Sequence, residues 1–284
     1  MTHEWEFAEH ADDVETTFAA LADRVVDSLL ARGPVAATWL GDHRFDDRLA
    51  DRSPEGVHET LSMLDQALTA VDQLDDLALG TTSAVDLEIL RAQLTGERVI
   101  LADIAPHTWD PLEANPGTAI HLLLARDFAP LEERLASVAG RLAAVPDSLE
   151  EARRVLGDMP RVHVETAIGQ FEGTRAMLTG MLDEELDRAP AARALVEPAR
   201  DAALGALEAH IGWLRDRLES GLADGDPRLG EEKYAAKLWA TLDAGLTPDD
   251  VLHRAESDLA RLEGEIARAA ADYLGEAEIG RAHV

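Results

Sequence analysis

The sequence predicts an all-α fold, and three observations carry that prediction. Aromatic residues make up 4% of the chain, while small and straight-chain residues, chiefly Ala and Leu, supply most of a 46% hydrophobic fraction. Such side chains lose little entropy in a helix. Val, Ile and Thr never gather in an alternating run, so no segment reads as a strand. Apolar residues recur instead at steps of three and four, and Pro, Gly or a capping Ser or Thr punctuates the runs.

The first helix is predicted over 12–32, with Val14, Phe18, Leu21, Val25 and Leu29 on one face and Gly33-Pro34 ending it. A short helical piece over 34–40 leads into the polar segment 41–48. Ser53-Pro54-Glu55 restarts a helix, with serine as cap, proline in the first turn and the acid at the positive end of the dipole. Ser83 is expected to cap the next one, which carries Val85, Ile89 and Ala92. Residues 106–117 form the longest non-periodic stretch and read as a structured loop. Helices are then expected near 117–126, 130–144 and 147–157, separated by Pro130, Pro146 and Pro160.

From Pro160 a long helix should run to about 187, with Gly169 and Gly173 one turn apart and open to a close neighbouring helix. Leu204, Leu207, Ile211, Leu214 and Leu218 make a short coiled-coil-like seam in the helix after Pro198. A helix near 231–244 follows. Thr247-Pro248-Asp249-Asp250 then opens a last helix with Leu252, Ala255, Leu259, Leu262 and Ile266 in register. The expected organisation is one helical domain over 1–277, divisible into subdomains 1–105 and 117–277 at the loop.

A formal net charge of -30 sets the surface field. It repels phosphate backbones and anionic lipid, and the basic residues form no stripe, so neither nucleic acid nor a membrane is an expected partner. No cysteine is present, which removes disulfides, thiolate zinc sites and cysteine nucleophiles. The opening Met1-Thr2-His3-Glu4-Trp5-Glu6 lacks a basic, then apolar, leader pattern, and a cytoplasmic location is the expectation.

Motifs for chemistry are incomplete. A zinc peptidase helix needs two histidines one turn apart and a glutamate beside the metal-bound water. His3-Glu4 and His58-Glu59 lack the second histidine, since Phe7 and Ser62 stand there. Carboxylate-bridged metal bundles need Glu-x-x-His twice, and Glu55 with His58 supplies it once, at a helix start where acids belong anyway. Neither a Gly-x-Ser-x-Gly elbow nor a phosphate-binding glycine loop occurs. The densest polar cluster is Asp42, His43, Arg44, Asp46 and Asp47, which reads either as a cleft lining or as a salt-bridged loop between helices. His163, Glu165 and Gln170 form a second candidate group, facing a cavity or bonding between helices.

Several segments, in order, resemble the bacterial domain-of-unknown-function 885 family. They include Trp39-Leu40-Gly41-Asp42-His43-Arg44-Phe45-Asp46-Asp47-Arg48, Val85-Asp86-Leu87-Glu88-Ile89-Leu90 and Asn115-Pro116. Leu124-Ala125-Arg126-Asp127-Phe128-Ala129-Pro130 with Arg134, then Arg141-Leu142, continue the series. Val162-His163-Val164-Glu165 and Gly225-Asp226-Pro227-Arg228-Leu229-Gly230 with Tyr234 complete it. The resemblance covers roughly 14–274 and implies the N-terminal helical half of a zinc-peptidase-like, carboxypeptidase-like protein. It further implies that the H-E-x-x-H helix, and with it zinc, belongs to a C-terminal half outside this sequence. No catalytic or metal-binding residue carries over to this chain. Asp42, His43, Arg44, Asp46, His163 and Gln170 are then candidates for lining one wall of a peptide cleft, with the missing half and a peptide as partners. The alternative is a complete, non-enzymatic helical scaffold or binding module. Ile279-Gly280-Arg281-Ala282-His283-Val284 reads as a translated sequencing adapter, so 278–284 are expected to be non-native and the gene to continue.

Overall fold

The computed structural model describes residues 14–242 and 245–274. The opening hexapeptide and the 278–284 tail lie outside the described residues. All described elements are helices or helical turns, and one isolated bridge pairs Pro160 with Gly225. In chain order the helices are α1 (Val14–Arg32), α2 (Pro34–Leu40), α3 (Pro54–Asp72), α4 (Thr81–Val99), α5 (Gly117–Ala125) and α6 (Leu131–Val155). They continue with α7 (Arg161–Thr179), α8 (Met181–Arg188), α9 (Arg193–Glu219), α10 (Glu231–Leu242) and α11 (Pro248–Leu274). Contacts divide the chain into two units, 1–229 and 230–284, a boundary at which the sequence reading places no division.

The first unit holds two apolar cores. Phe18, Leu21 and Val25 of α1 meet Leu64, Ala67 and Val71 of α3 and Leu87, Leu90 and Leu94 of α4. A larger core gathers α5 to α9, with Leu135, Val138, Leu142 and Leu149 of α6 facing the Leu207–Leu214 stripe of α9. The α4 helix passes into a π-turn at Ile100–Ile104, and Ala105 follows in the left-handed region at φ 48°. Short 3₁₀ turns at Pro106–Thr108 and Pro111–Ala114 then carry the chain to α5, so the non-periodic stretch is indeed structured.

Local chemistry explains the helix ends. Ser53 accepts from Gly56 N at 3.0 Å, and Thr247 and Asp250 exchange reciprocal bonds at the start of α11. Ser83 does not cap α4. The helix starts earlier, after Gly80, and the Ser83 hydroxyl binds the Glu15 carboxylate. Proline is a weaker stop than expected. Pro146 lies inside α6, where one lost backbone bond is offset by the buried Leu142, Val145 and Leu149 around it. Pro198, the sixth residue of α9, likewise lies inside the helix, flanked by the buried Val196 and Ala203. Conversely, the long helix expected from Pro160 breaks at Gly180 (φ -123°, ψ -85°), giving α7 and α8.

Of the two predicted seams, the α9 one is covered, with Leu207, Ile211 and Leu214 buried and Leu204 and Leu218 packed against the core. Leu252, Leu259, Leu262 and Ile266 of α11 are exposed.

His210 is the anomaly of the larger core. It is fully buried, its ring 4.8 Å from Phe171 and 5.4 Å from Trp213, and neither nitrogen has a hydrogen-bond partner. Burial, with Arg153 nearby, pulls its pKa from 6.5 down to about 4. The native state therefore refuses a proton that the unfolded chain accepts. Stability from this residue is intact above pH 6.5 and is lost as pH falls through the window down to about 4. Between pH 7 and pH 4.5 the wild type should lose about 2–3 kcal/mol more than His210→Phe, read from urea denaturation at both pH values. Equal losses would show that His210 does not set the acid limb.

Candidate functional site

Two arginines on the buried stripe of α6 build the site. Arg134 sits seven residues before Arg141, and both are almost wholly buried. Arg134 donates to the Leu123, Leu124 and Ala129 carbonyls at 2.8, 3.0 and 3.1 Å, and pairs with Asp127 at 2.8 Å. These carbonyls lie at and beyond the end of α5, where the last helical turn leaves acceptors unanswered.

Arg141 reaches the other way. Its Nη2 donates to Thr38 Oγ1 at 2.6 Å and to Pro34 O at 3.4 Å. Its Nε donates to Arg48 O at 3.1 Å, and its Nη1 to the Ala119 carbonyl. Asp46, 3% exposed, supplies the counter-charge at 3.7 Å. Burial lowers the Arg141 pKa, and Asp46 and Asp47 pull it back up. Thr38 Oγ1 lies 2.6 Å from Asp46 Oδ1 and donates to it, which closes the network. Gly140 makes the approach possible, since a Cβ there would lie 2.7 Å from Asp47 O.

The 42–48 segment is thus a salt-bridged loop seated on α6. His43 Nδ1 lies 2.8 Å from Asp46 Oδ2, and its ring stacks on Phe128 at 3.7 Å between centroids. Asp42 and Arg44 form an exposed pair at 2.7 Å, which Asp27 joins at 2.8 Å. The Arg44 hydrogen bonds hold the Asp42 carboxyl below its usual pKa. His163 Nδ1 lies 3.1 Å from Asp110 Oδ1, without the alignment of a hydrogen bond, and its ring is 5.5 Å from Trp109.

Gln170 lies elsewhere. It lines a groove of about 620 Å³ between α2, α5 and α7, together with Trp39, Asn115, His121, Arg126, Gly173 and Met177. Of the six candidates from sequence, Gln170 alone lines this groove. A Cβ added at Gly169 or Gly173 would meet nothing within 4 Å, so no helix packs closely there. The glycine face is open, and Gly173 forms part of the groove wall.

No lining residue of the groove is Asp or Glu, in a chain with 56 of them. Its one permanent charge is Arg126, whose guanidinium lies 4.3 Å over the Trp39 ring. Among the described residues Arg126 has no acidic partner within ion-pair distance. The Asn115 side-chain oxygen accepts from Gly117 N and Thr174 Oγ1, both at 2.8 Å, which fixes the amide. A groove with apolar walls, one cation and a fixed amide suits an elongated ligand carrying an anionic group.

Sequence reasoning missed Arg126, His121, Arg134 and Arg141. A signal for the last two existed: both fall on the three-four spacing of an otherwise apolar stripe, where a charge must be paired. His121 is the only ionisable side chain within α5. Among the described residues no three His, Asp or Glu side chains come together as a metal-ligand set. Among the described residues, too, no helix is long and apolar enough to cross a membrane.

Fold and groove together define an all-helical protein with an acid-free groove held in place by buried arginines. The chain belongs to the family described as bacterial protein of unknown function, DUF885, whose match covers residues 34–283. Solved structures also match. One is described as "a putative lipoprotein of unknown function" from Shewanella oneidensis, at 24% identity and a TM-score of 0.79. That match covers 93% of this chain and 49% of the other, so the chain spans about half its length. Likeness at that identity establishes the fold. A search of curated proteins found no match.

Removing Arg141 would take away the one guanidinium beside the buried Asp46 and leave it with Thr38 and His43 alone. Arg141→Ala should destabilise the protein by about 3–5 kcal/mol, and adding Asp46→Asn should return part of that loss. Chemical denaturation of the single and double variants measures both. Additive losses would show that the two residues are not coupled.

Proposed function

We propose that this chain forms one wall of a peptide-binding cleft, as the N-terminal helical region of a larger zinc-peptidase-like, carboxypeptidase-like protein. The observation that carries the reading is the groove: about 620 Å³, without acidic lining, with Arg126 in its wall and no acidic partner for it among the described residues. An extended peptide presents what such a groove can use. Its main chain offers acceptors and donors to Gln170 and Asn115, its side chains cover Trp39, Leu122 and Met177, and a carboxylate meets Arg126.

The resemblance of the Trp39–Arg48 and Val162–Glu165 segments to the family supports the peptidase side of the proposal. The half-length coverage of the Shewanella protein supports further chain beyond this region. Zinc and its ligands belong, on this reading, to that further chain, and no chemical step is assigned to residues described here. Substrate positioning is the role proposed for them.

A peptide titration followed by Trp39 fluorescence tests the reading, with the other tryptophans replaced by Phe. Short peptides with a free carboxyl terminus should bind and perturb the emission. Arg126→Glu should weaken binding about tenfold or more, and Gln170→Ala several-fold. Peptide binding that Arg126→Glu leaves unchanged would sink the groove assignment. A version extended through the native downstream gene that binds peptides but never cleaves them would favour the scaffold reading instead.

A further inference from the structure

In α11, positions 252, 255, 259, 262, 266, 269 and 273 follow a strict three-four alternation over three heptads. The stripe is apolar throughout, yet Leu252 is 57% exposed, Leu259 59%, Leu262 44% and Ile266 67%. An uncovered stripe of this length marks an interface rather than ordinary surface scatter.

The residues bordering the stripe say what covers it. On one side stand Glu256 and Glu263, and on the other Asp258, Glu265 and Asp272. The arginines of the helix, Arg254, Arg261 and Arg268, repeat every seven residues one row further out. Arg261 holds Asp258 at 3.1 Å and Glu265 at 3.0 Å along the same helix. Glu256 and Glu263 have no basic partner within ion-pair distance among the described residues. The Glu256–Glu263 edge of the apolar stripe is therefore acidic and unpaired among the described residues, whereas Asp258 and Glu265 on the other edge are already held by Arg261.

From this pattern we infer that the α11 face docks an amphipathic helix whose own apolar stripe is bordered by Lys or Arg. Border charges choose partners in helix pairs. A second copy of α11 would set Glu256 and Glu263 against Asp258 and Glu265 in parallel alignment or against the same two glutamates in antiparallel alignment, and that edge would repel anionic lipid in the same way. A basic-bordered helix turns the Glu256–Glu263 edge into attraction while covering the leucines. The inference concerns α11 alone and stands whether or not the groove binds peptide.

The test uses the full chain and two labelled synthetic helices of matching length, with identical Leu heptads and either Lys or Glu at the bordering positions. Fluorescence anisotropy should show the Lys peptide binding at least about tenfold more tightly than the Glu peptide, with the preference shrinking as salt is raised. Leu259→Asp with Ile266→Asp should abolish binding of the Lys peptide while helicity by circular dichroism is retained. Glu256→Lys with Glu263→Lys should shift the preference toward the Glu peptide, a readout that does not depend on the first variant folding.

Several results would overturn the inference. Binding of the Lys peptide that survives Leu259→Asp with Ile266→Asp would be attraction to the acidic surface at large. Binding of neither peptide would mean the stripe is not free to dock. Self-association at neutral pH that Leu259→Asp disperses would make a second copy the occupant. Uptake by phosphatidylcholine–phosphatidylglycerol vesicles, lost on the same change, would make it a lipid surface.

Discussion

A guanidinium taken out of water must have its donors answered and its charge balanced, or the fold that buries it does not form. Arg141 meets that demand by collecting partners from two stretches far from it in sequence: Pro34, Thr38, the Asp46 carboxylate and Arg48 in one, and Ala119 in the other. Each acceptor fixes an element. The end of α2, the 42–48 loop and the first turn of α5 are thereby referred to one point on α6. Trp39 follows from Thr38 and carries the ring over which Arg126 lies. Arg134, two turns back on α6, holds the other end of α5 through its terminal carbonyls. The groove wall formed by α2 and α5 is thus positioned by these polar bonds together with the apolar core that takes in Ile120, Leu123 and Leu124, and the α7 wall by the same core at Phe171.

Distribution of charge matters as much as its total. With 56 acids against 26 basic residues, most arginines of the described chain are paired. Against that background a groove without Asp or Glu is a local reversal, and the field of the rest of the molecule does not enter it as adjacent carboxylates. The same surplus has the opposite meaning on α11, where acids border an apolar stripe and restrict what can cover it. One composition thus yields two surfaces with different chemical preferences.

Fold class and most helices were legible in the sequence because periodicity and caps are local. Ser53, Thr247 and Gly33-Pro34 act where they stand. The errors came where distant packing outweighed a local rule. Pro146 does not end α6, since Leu142, Val145 and Leu149 are held by the core, and Gly180 breaks a helix that periodicity would continue. Gly169 and Gly173 suggested a close helix contact, but open space lies beside them. Of the site, Gln170 was legible and the groove was not, because a groove is a relation between α2, α5 and α7. The 42–48 cluster was visible as a cluster, but its role depended on Arg141, 93 residues from Arg48 and therefore outside any local pattern.

That dependence is open to a direct measurement. Native-state hydrogen exchange, read peptide by peptide by mass spectrometry, should be compared between the wild type and Arg141→Met. If Arg141 positions the groove wall, amides of 34–48 and 117–126 should exchange much faster in the variant, while α9 around Leu207 and Ile211 keeps its protection. Unchanged exchange across 34–48, or uniform loss of protection along the whole chain, would contradict the account.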